Sequence, residues 1–148
     1  MAGQFEGRAE IARPVEEVFA FLADGENDRK FSPRVQAMAK TTDGPTAVGT
    51  VYASTVKDAG MTTRREFRIS AFEPPTKIRW TELSKNQVTA VDGGYDLEPT
   101  ADGGTRLRVF NVLEGHGIGK LLVGFALSAA RKDADAFAQR IKAAVEAS

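Results

Sequence analysis

The stretch that decides the architecture is Ile118 to Val145, IGKLLVGFALSAARKDADAFAQRIKAAV. It contains no proline and many alanines, and Leu121, Leu122, Phe125, Ala129, Ala136, Phe137, Ile141 and Ala144 recur along one face at helical spacing. At about 1.5 Å per residue the helix is roughly 40 Å long. A helix with one apolar stripe does not hold alone in water, so the stripe needs a partner surface. Everything that precedes it supplies one, because the rest of the chain reads mostly as strand.

Gln4 to Ala12 alternates loosely through Phe5, Gly7, Ala9 and Ile11, as a half-buried strand does. Arg13-Pro14 ends it, and Pro14 to Ala23 is a short helix whose Glu16-Glu17 pair suits the positive end of the helix dipole. The polar break Asp24 to Asp28 leads into one more helical turn near Lys30-Phe31, before Ser32-Pro33. Six strands follow: Val35–Thr42, Thr50–Lys57, Thr62–Phe72, Lys77–Leu83, Val88–Leu97 and Thr105–Leu113. Asp43-Gly44-Pro45, Asp58-Ala59-Gly60, Glu73-Pro74-Pro75 and Asp102-Gly103-Gly104 punctuate them as turns. These connections are too short for parallel crossovers, so the sheet is an antiparallel meander. Gly93-Gly94 within one strand signals a bulge or bend, which a curved sheet needs. The expected class is α+β: a curved antiparallel sheet of about seven strands with two short helices, wrapped on the long C-terminal helix in one domain over residues 1–148.

Composition removes several function classes. Lys plus Arg and Asp plus Glu number 20 each, with neither sign in a long block, which argues against a nucleic-acid or anionic-membrane surface. The absence of cysteine excludes disulfides, thiolate nucleophiles and Cys-ligated metals. The polar opening Met-Ala-Gly-Gln-Phe-Glu-Gly-Arg lacks a signal-peptide core, and Leu121 to Ala130 is too short to span a bilayer. A cytoplasmic protein without stable membrane insertion, metal or cofactor is the expectation, and the oligomeric state is left open. Gly115-His116-Gly117-Ile118-Gly119-Lys120 is one residue short of a phosphate loop and has Leu121 where Ser or Thr would ligate magnesium. His116, the single histidine, reads as solvent-exposed, and Asp24, Glu26 and Asp28 read as a solvated helix cap rather than a calcium loop.

Several segments carry a family resemblance. Ala12-Arg13-Pro14-Val15-Glu16-Glu17-Val18-Phe19-Ala20-Phe21-Leu22-Ala23-Asp24 resembles the opening strand-to-helix segment of the bacterial polyketide cyclase/dehydrase group of SRPBCC proteins, which share the helix-grip fold with START domains and the birch-pollen-allergen group. Phe31-Ser32-Pro33 stands where those proteins usually carry Trp-x-Pro. Val48-Gly49-Thr50-Val51-Tyr52, Glu73-Pro74-Pro75-Thr76-Lys77-Ile78 and Gly94-Tyr95-Asp96-Leu97-Glu98-Pro99 match three further landmarks in order. The resemblance implies a cavity between sheet and helix that takes lipids, hormones, polyketides or other aromatic molecules. A curved sheet cannot touch a straight helix along its whole length, so elementary geometry also leaves a gap, and ligand sites favour such gaps.

Strand alternation selects the side chains that face this gap: Tyr52 and Ser54; Arg65, Phe67 and Ile69; Ile78, Trp80 and Glu82; Thr89, Val91, Tyr95 and Leu97; Leu107, Val109, Asn111 and Leu113. The helix adds Phe125, Ala129 and Asp133. Packing alone accounts for the apolar members. Arg65, Ser54, Tyr95 and Asn111 are more informative, since buried polar groups need partners. Asp133 falls near the centre of the helix stripe, and a carboxylate there is expected to meet Arg65 or a strand tyrosine unless it forms a rim salt bridge. The expected ligand-binding set is therefore Tyr52, Ser54, Arg65, Phe67, Trp80, Tyr95, Asn111, Phe125, Ala129 and Asp133. Three functions stay open: a binding protein or carrier for a small hydrophobic molecule, a cyclase or dehydratase working in the cavity, and a protein-interaction module with a closed core.

Overall fold

The computed structural model describes residues 2–58 and 60–148. Ala59 of the expected Asp58-Ala59-Gly60 turn lies outside the described residues. The elements run β1 (Ala2–Ile11), α1 (Val15–Ala23), a 3-10 helix (Gly25–Lys30), β2 (Val35–Lys40), β3 (Val51–Asp58), β4 (Met61–Glu73), β5 (Lys77–Glu82), β6 (Val88–Pro99), β7 (Thr105–Gly115) and α2 (Gly119–Glu146). The strands form one seven-stranded antiparallel sheet in the order β1-β7-β6-β5-β4-β3-β2. Every sequence-read element is present with bounds shifted by one or two residues, except that the helical turn expected near Lys30-Phe31 begins at Gly25, inside the segment read as a polar break.

Bulges curve the sheet. They lie in β2 between Val35 and Ala37, in β4 between Ile69 and Ala71, and in β6 between Ala90 and Asp92. The expected Gly93-Gly94 irregularity is therefore two residues upstream of where the glycines suggested. Gly93 serves a different need. A Cβ there would stand 2.2 Å from Asn111 Oδ1 and 2.4 Å from Trp80 Nε1. The missing side chain makes room for the hydrogen bond that Trp80 Nε1 donates to Asn111 Oδ1 at 2.9 Å. The bulges also shift parity. Phe72 packs edge-on against Phe19 of α1, with ring centroids 5.1 Å apart.

The C-terminal helix lies chiefly over β1 and β7. Close approach is possible because Gly7 has no side chain, where a Cβ would fall 2.0 Å from the Ala134 carbonyl oxygen. Val123, Leu127, Ala134, Ala138, Ile141 and Val145 form the buried face of α2. The expected stripe through Leu121, Leu122, Phe125 and Ala129 is corrected by this packing: Leu121 is 75% and Phe125 78% exposed, and Ala129 is exposed as well. Alanine fits either face of a helix, so an Ala-rich segment leaves its rotational phase weakly marked, and the glycines of β1 decide it. The core gathers between the concave sheet, α1 and the C-terminal half of α2, around Ile11, Val18, Leu22, Ile78, Leu107 and Ile141.

Candidate functional site

A cavity of about 210 Å³ remains between the concave sheet, α1, the 3-10 helix and α2. Its walls are mainly apolar, from Leu22, Phe31, Met38, Phe67, Ile69 and Trp80 among others. Of the sequence-selected residues, Tyr52, Ser54, Arg65, Phe67, Trp80, Tyr95 and Asn111 all line it. Each stands at the expected alternation on its strand, which the cross-strand register ties together: Tyr52 opposes Phe67, Ser54 opposes Arg65, and Ile78 opposes Tyr95.

The helix side departs from expectation. Phe137 is the α2 residue on the cavity wall, with its ring 5.7 Å from that of Phe31. Phe125, Ala129 and Asp133 are not part of the lining. Asp133 is about half exposed and pairs with Arg140, two helical turns on, through Nη2–Oδ2 at 2.8 Å and Nη1–Oδ1 at 3.3 Å. The Arg140 guanidinium holds the Asp133 carboxyl below its usual range. Arg65 reaches Glu82 instead, a neighbour in the same sheet. The rim salt bridge is thus the arrangement found for Asp133, with a helix partner. Val91 is also absent from the cavity wall, since the β6 bulge falls at that residue.

Behind the cavity wall, at the end where Arg65 stands, the chemistry is closed. The Glu82 side chain is fully buried and accepts four hydrogen bonds: Arg65 Nη1 at 3.0 Å and the Ala90 amide at 2.9 Å on Oε1, Ser84 Oγ at 2.5 Å and Asn86 Nδ2 at 2.6 Å on Oε2. Arg65 Nη1 also lies 3.5 Å from the Val88 carbonyl. Its Nε and Nη2 receive no acceptor from the described residues, so the clamp holds Arg65 by one nitrogen and leaves two donors.

The other end contains a group the sequence reading placed in solvent. Asp24 does cap the 3-10 helix, accepting from the Glu26 amide at 3.1 Å, and Glu26 is exposed. Asp28 is a correction: it lines the cavity. The reason is the period. In a 3-10 helix residues three apart eclipse, so Gly25, Asp28 and Phe31 form one row. Phe31 is 3% exposed, and burying it carries the row inward. All three line the cavity, with Gly25 set against the Tyr52 ring. The three-residue spacing from Phe31 was the available signal. Burial, assisted by the nearby charge of Asp24, pushes the Asp28 carboxyl up to about 7. Burial and then the charge of Asp28 push the Tyr95 phenol well above its ordinary value, which keeps its hydroxyl protonated. Tyr95 packs edge-on against Trp80 at 4.9 Å.

Tyr95 lies opposite Ile78, and Glu82 is four residues farther along β5, about 13 Å at strand rise. The cavity therefore has two separated polar ends joined by an aromatic and aliphatic middle. His116 sits outside it, half exposed and 3.9 Å from Glu114.

A family model described as polyketide cyclase/dehydrase and lipid transport matches residues 2–146. No curated protein matches the sequence. Among solved structures, Ara h 8.0201 superposes with a TM-score of 0.72 at 22% identity, with 100% of each chain covered. TTHA0849 from Thermus thermophilus gives 0.79 at 15% identity over 98% of each chain. The Zhui aromatase/cyclase from Streptomyces sp. R1128 gives 0.79 at 16% identity over 99% of this chain and 94% of that one. At these identities the likeness is one of fold, and it is the helix-grip fold.

Proposed function

The chain belongs to the polyketide cyclase/dehydrase and lipid transport family, and from that premise we propose that it binds a small, ring-containing apolar molecule in the cavity between sheet and helix. The observation that carries this reading is the cavity itself: mainly apolar walls with polar groups at both ends. Size narrows the ligand. An apolar cavity of about 150 Å³ holds one benzene ring. The 210 Å³ here suits one or two rings and is small for a sterol. The second reading, a cyclase or dehydratase, is favoured by one specific feature. Asp28 titrates near neutrality inside the cavity, as a residue that moves a proton during turnover must. The Zhui aromatase/cyclase, whose name states such chemistry, has the same fold, and this likeness supports the second reading.

A thermal-shift series with naphthalenes, flavonoids, fatty acids and sterols tests the reading. Two-ring compounds are expected to give a saturable rise in Tm, worth about 2.7 kcal/mol at a hundredfold excess over Kd. Stabilisation by sterols alone would overturn the size argument, and no stabilisation by any class would overturn ligand binding. Ligands that stabilise are then assayed for turnover, which separates carrier from enzyme.

A further inference from the structure

The Asp28 end of the cavity presents two polar groups that the protein leaves unsatisfied. Tyr95 is 5% exposed, and no described residue hydrogen-bonds its hydroxyl. The Asp28 carboxyl likewise has no hydrogen-bond or ion-pair partner among the described residues. Neither hydroxyl nor carboxyl is a sealed, orphaned atom, and both residues line the cavity. Glu82, bound to Arg65, shows how this fold satisfies a buried carboxyl group: it surrounds it with four donors. Asp28 has none.

We propose that Asp28 and Tyr95, which line the same end of the cavity and have no partner among the described residues, form a subsite for a carbonyl oxygen of the ligand, to which the Asp28 carboxyl and the Tyr95 hydroxyl donate together. A carbonyl oxygen has two lone pairs and accepts from two donors at once. A tyrosine beside a carboxyl kept neutral by an apolar site is an arrangement suited to oxygen that carries partial negative charge. The inference rests on the ligand-binding reading above and names the ligand class within it: a one- or two-ring ketone, enone or quinone.

The charges around Asp28 favour its neutral form. Asp24, just before it, is repulsive. Tyr95 faces it from β6, while Tyr52 of β3, set against Gly25, donates to the Ala23 carbonyl at 3.3 Å and is 2.6 Å from Thr46 Oγ1. On the helix itself Arg29 is exposed and Lys30 lies over the Phe21 ring at 5.5 Å. From β2, the backbone amide of Lys40 binds Glu26, and its ammonium binds the Gly44 carbonyl. From α2, Arg140 is occupied by Asp133 and the Phe31 carbonyl. Arg65 stands at the opposite end. None of these cations is aimed at Asp28.

The test uses a matched pair of neutral probes, 2-acetylnaphthalene and 2-ethylnaphthalene, titrated calorimetrically into the wild type, Asp28→Asn and Asp28→Leu at pH 6 and 8.5. The wild type is expected to prefer the ketone roughly tenfold at pH 6, the worth of one good hydrogen bond. That preference should fall severalfold at pH 8.5, as Asp28 ionises through about 7 and ceases to donate, leaving the Tyr95 hydroxyl alone. Asp28→Asn keeps an N–H donor and should retain a preference that no longer depends on pH, whereas Asp28→Leu should keep only the smaller, pH-independent share given by the Tyr95 hydroxyl. Equal affinity for the two probes in the wild type at pH 6, an undiminished preference in Asp28→Leu, or one that ignores pH in the wild type would overturn the subsite while leaving the binding cavity in place. Failure of both probes to bind at all would overturn the cavity reading and the subsite with it. A carboxyl carbon-13 titration of Asp28 in the free protein reads the same property without a ligand, and a midpoint near 4 would also sink the proposal.

Discussion

Two carboxyl groups flank the cavity, Glu82 behind its wall and clamped to Arg65, Asp28 on the wall at the other end, and the fold treats them in opposite ways. Glu82 is surrounded by a guanidinium, a hydroxyl, a side-chain amide and a backbone amide, all within 3.0 Å. Those donors replace the hydrogen bonds that water made. Asp28 receives no such donors, and burial drives it toward the neutral form. Framework and site are told apart in this pocket by that criterion. A satisfied buried charge orders its neighbours, here holding Arg65 by one nitrogen. An unsatisfied one retains bonding capacity that only a ligand or water can use.

The largest effect is expected from disrupting the satisfied end. Glu82→Ala should lower unfolding free energy by about 3–5 kcal/mol, because Arg65, Ser84 and Asn86 all lose an acceptor in a buried setting. Urea denaturation measures this, and a loss below about 1 kcal/mol, no more than an ordinary hydrogen bond, would remove Glu82 from the framework. The opposite sign is expected at the other end. The folded Asp28 group titrates at about 7, above its unfolded value of 3.8. The folded form therefore holds the proton more tightly, so stability is fully present below the unfolded value and is lost as pH rises through about 7. Asp28→Asn removes that loss. It should be nearly neutral at pH 4 and stabilising by on the order of 3 kcal/mol at pH 8. Thermal unfolding of both proteins across that range decides it, and a destabilised variant at pH 8 would contradict the contrast between the two ends. The smallest effect concerns a hydroxyl: Tyr95→Phe should change stability by less than about 1 kcal/mol, since that group makes no bond in the free protein to lose. A larger loss in the same denaturation assay would mean that the hydroxyl is already employed in holding the fold.

Much of the cavity wall was legible in the sequence because it is built from strands. Side chains alternate with period two, so assigning Tyr52, Arg65 or Trp80 to a face also assigns its neighbours. Seven of the ten expected site residues stand on the wall for that reason. The three that do not, Phe125, Ala129 and Asp133, were all read from a helical wheel. In α2 the strongest apolar residues near the N-terminus point outward, and the buried face depends on where Gly7 lets the helix approach β1. Asp28 was missed through a wrong local period. Read as an exposed cap it belongs to water, but a three-residue repeat aligns it with buried Phe31.

Local pattern thus specified the element order, the antiparallel sheet, the gap under the helix and the inward face of most strands, since each follows from turn residues and a fixed backbone period. The rotation of α2, the pairing of Arg65 with Glu82 rather than Asp133, and the exposure of Asp28 to the cavity came from long-range packing. Those depend on which surfaces come close enough to exclude water, and on which donors then remain within reach. Neither quantity is carried by residues adjacent in the chain.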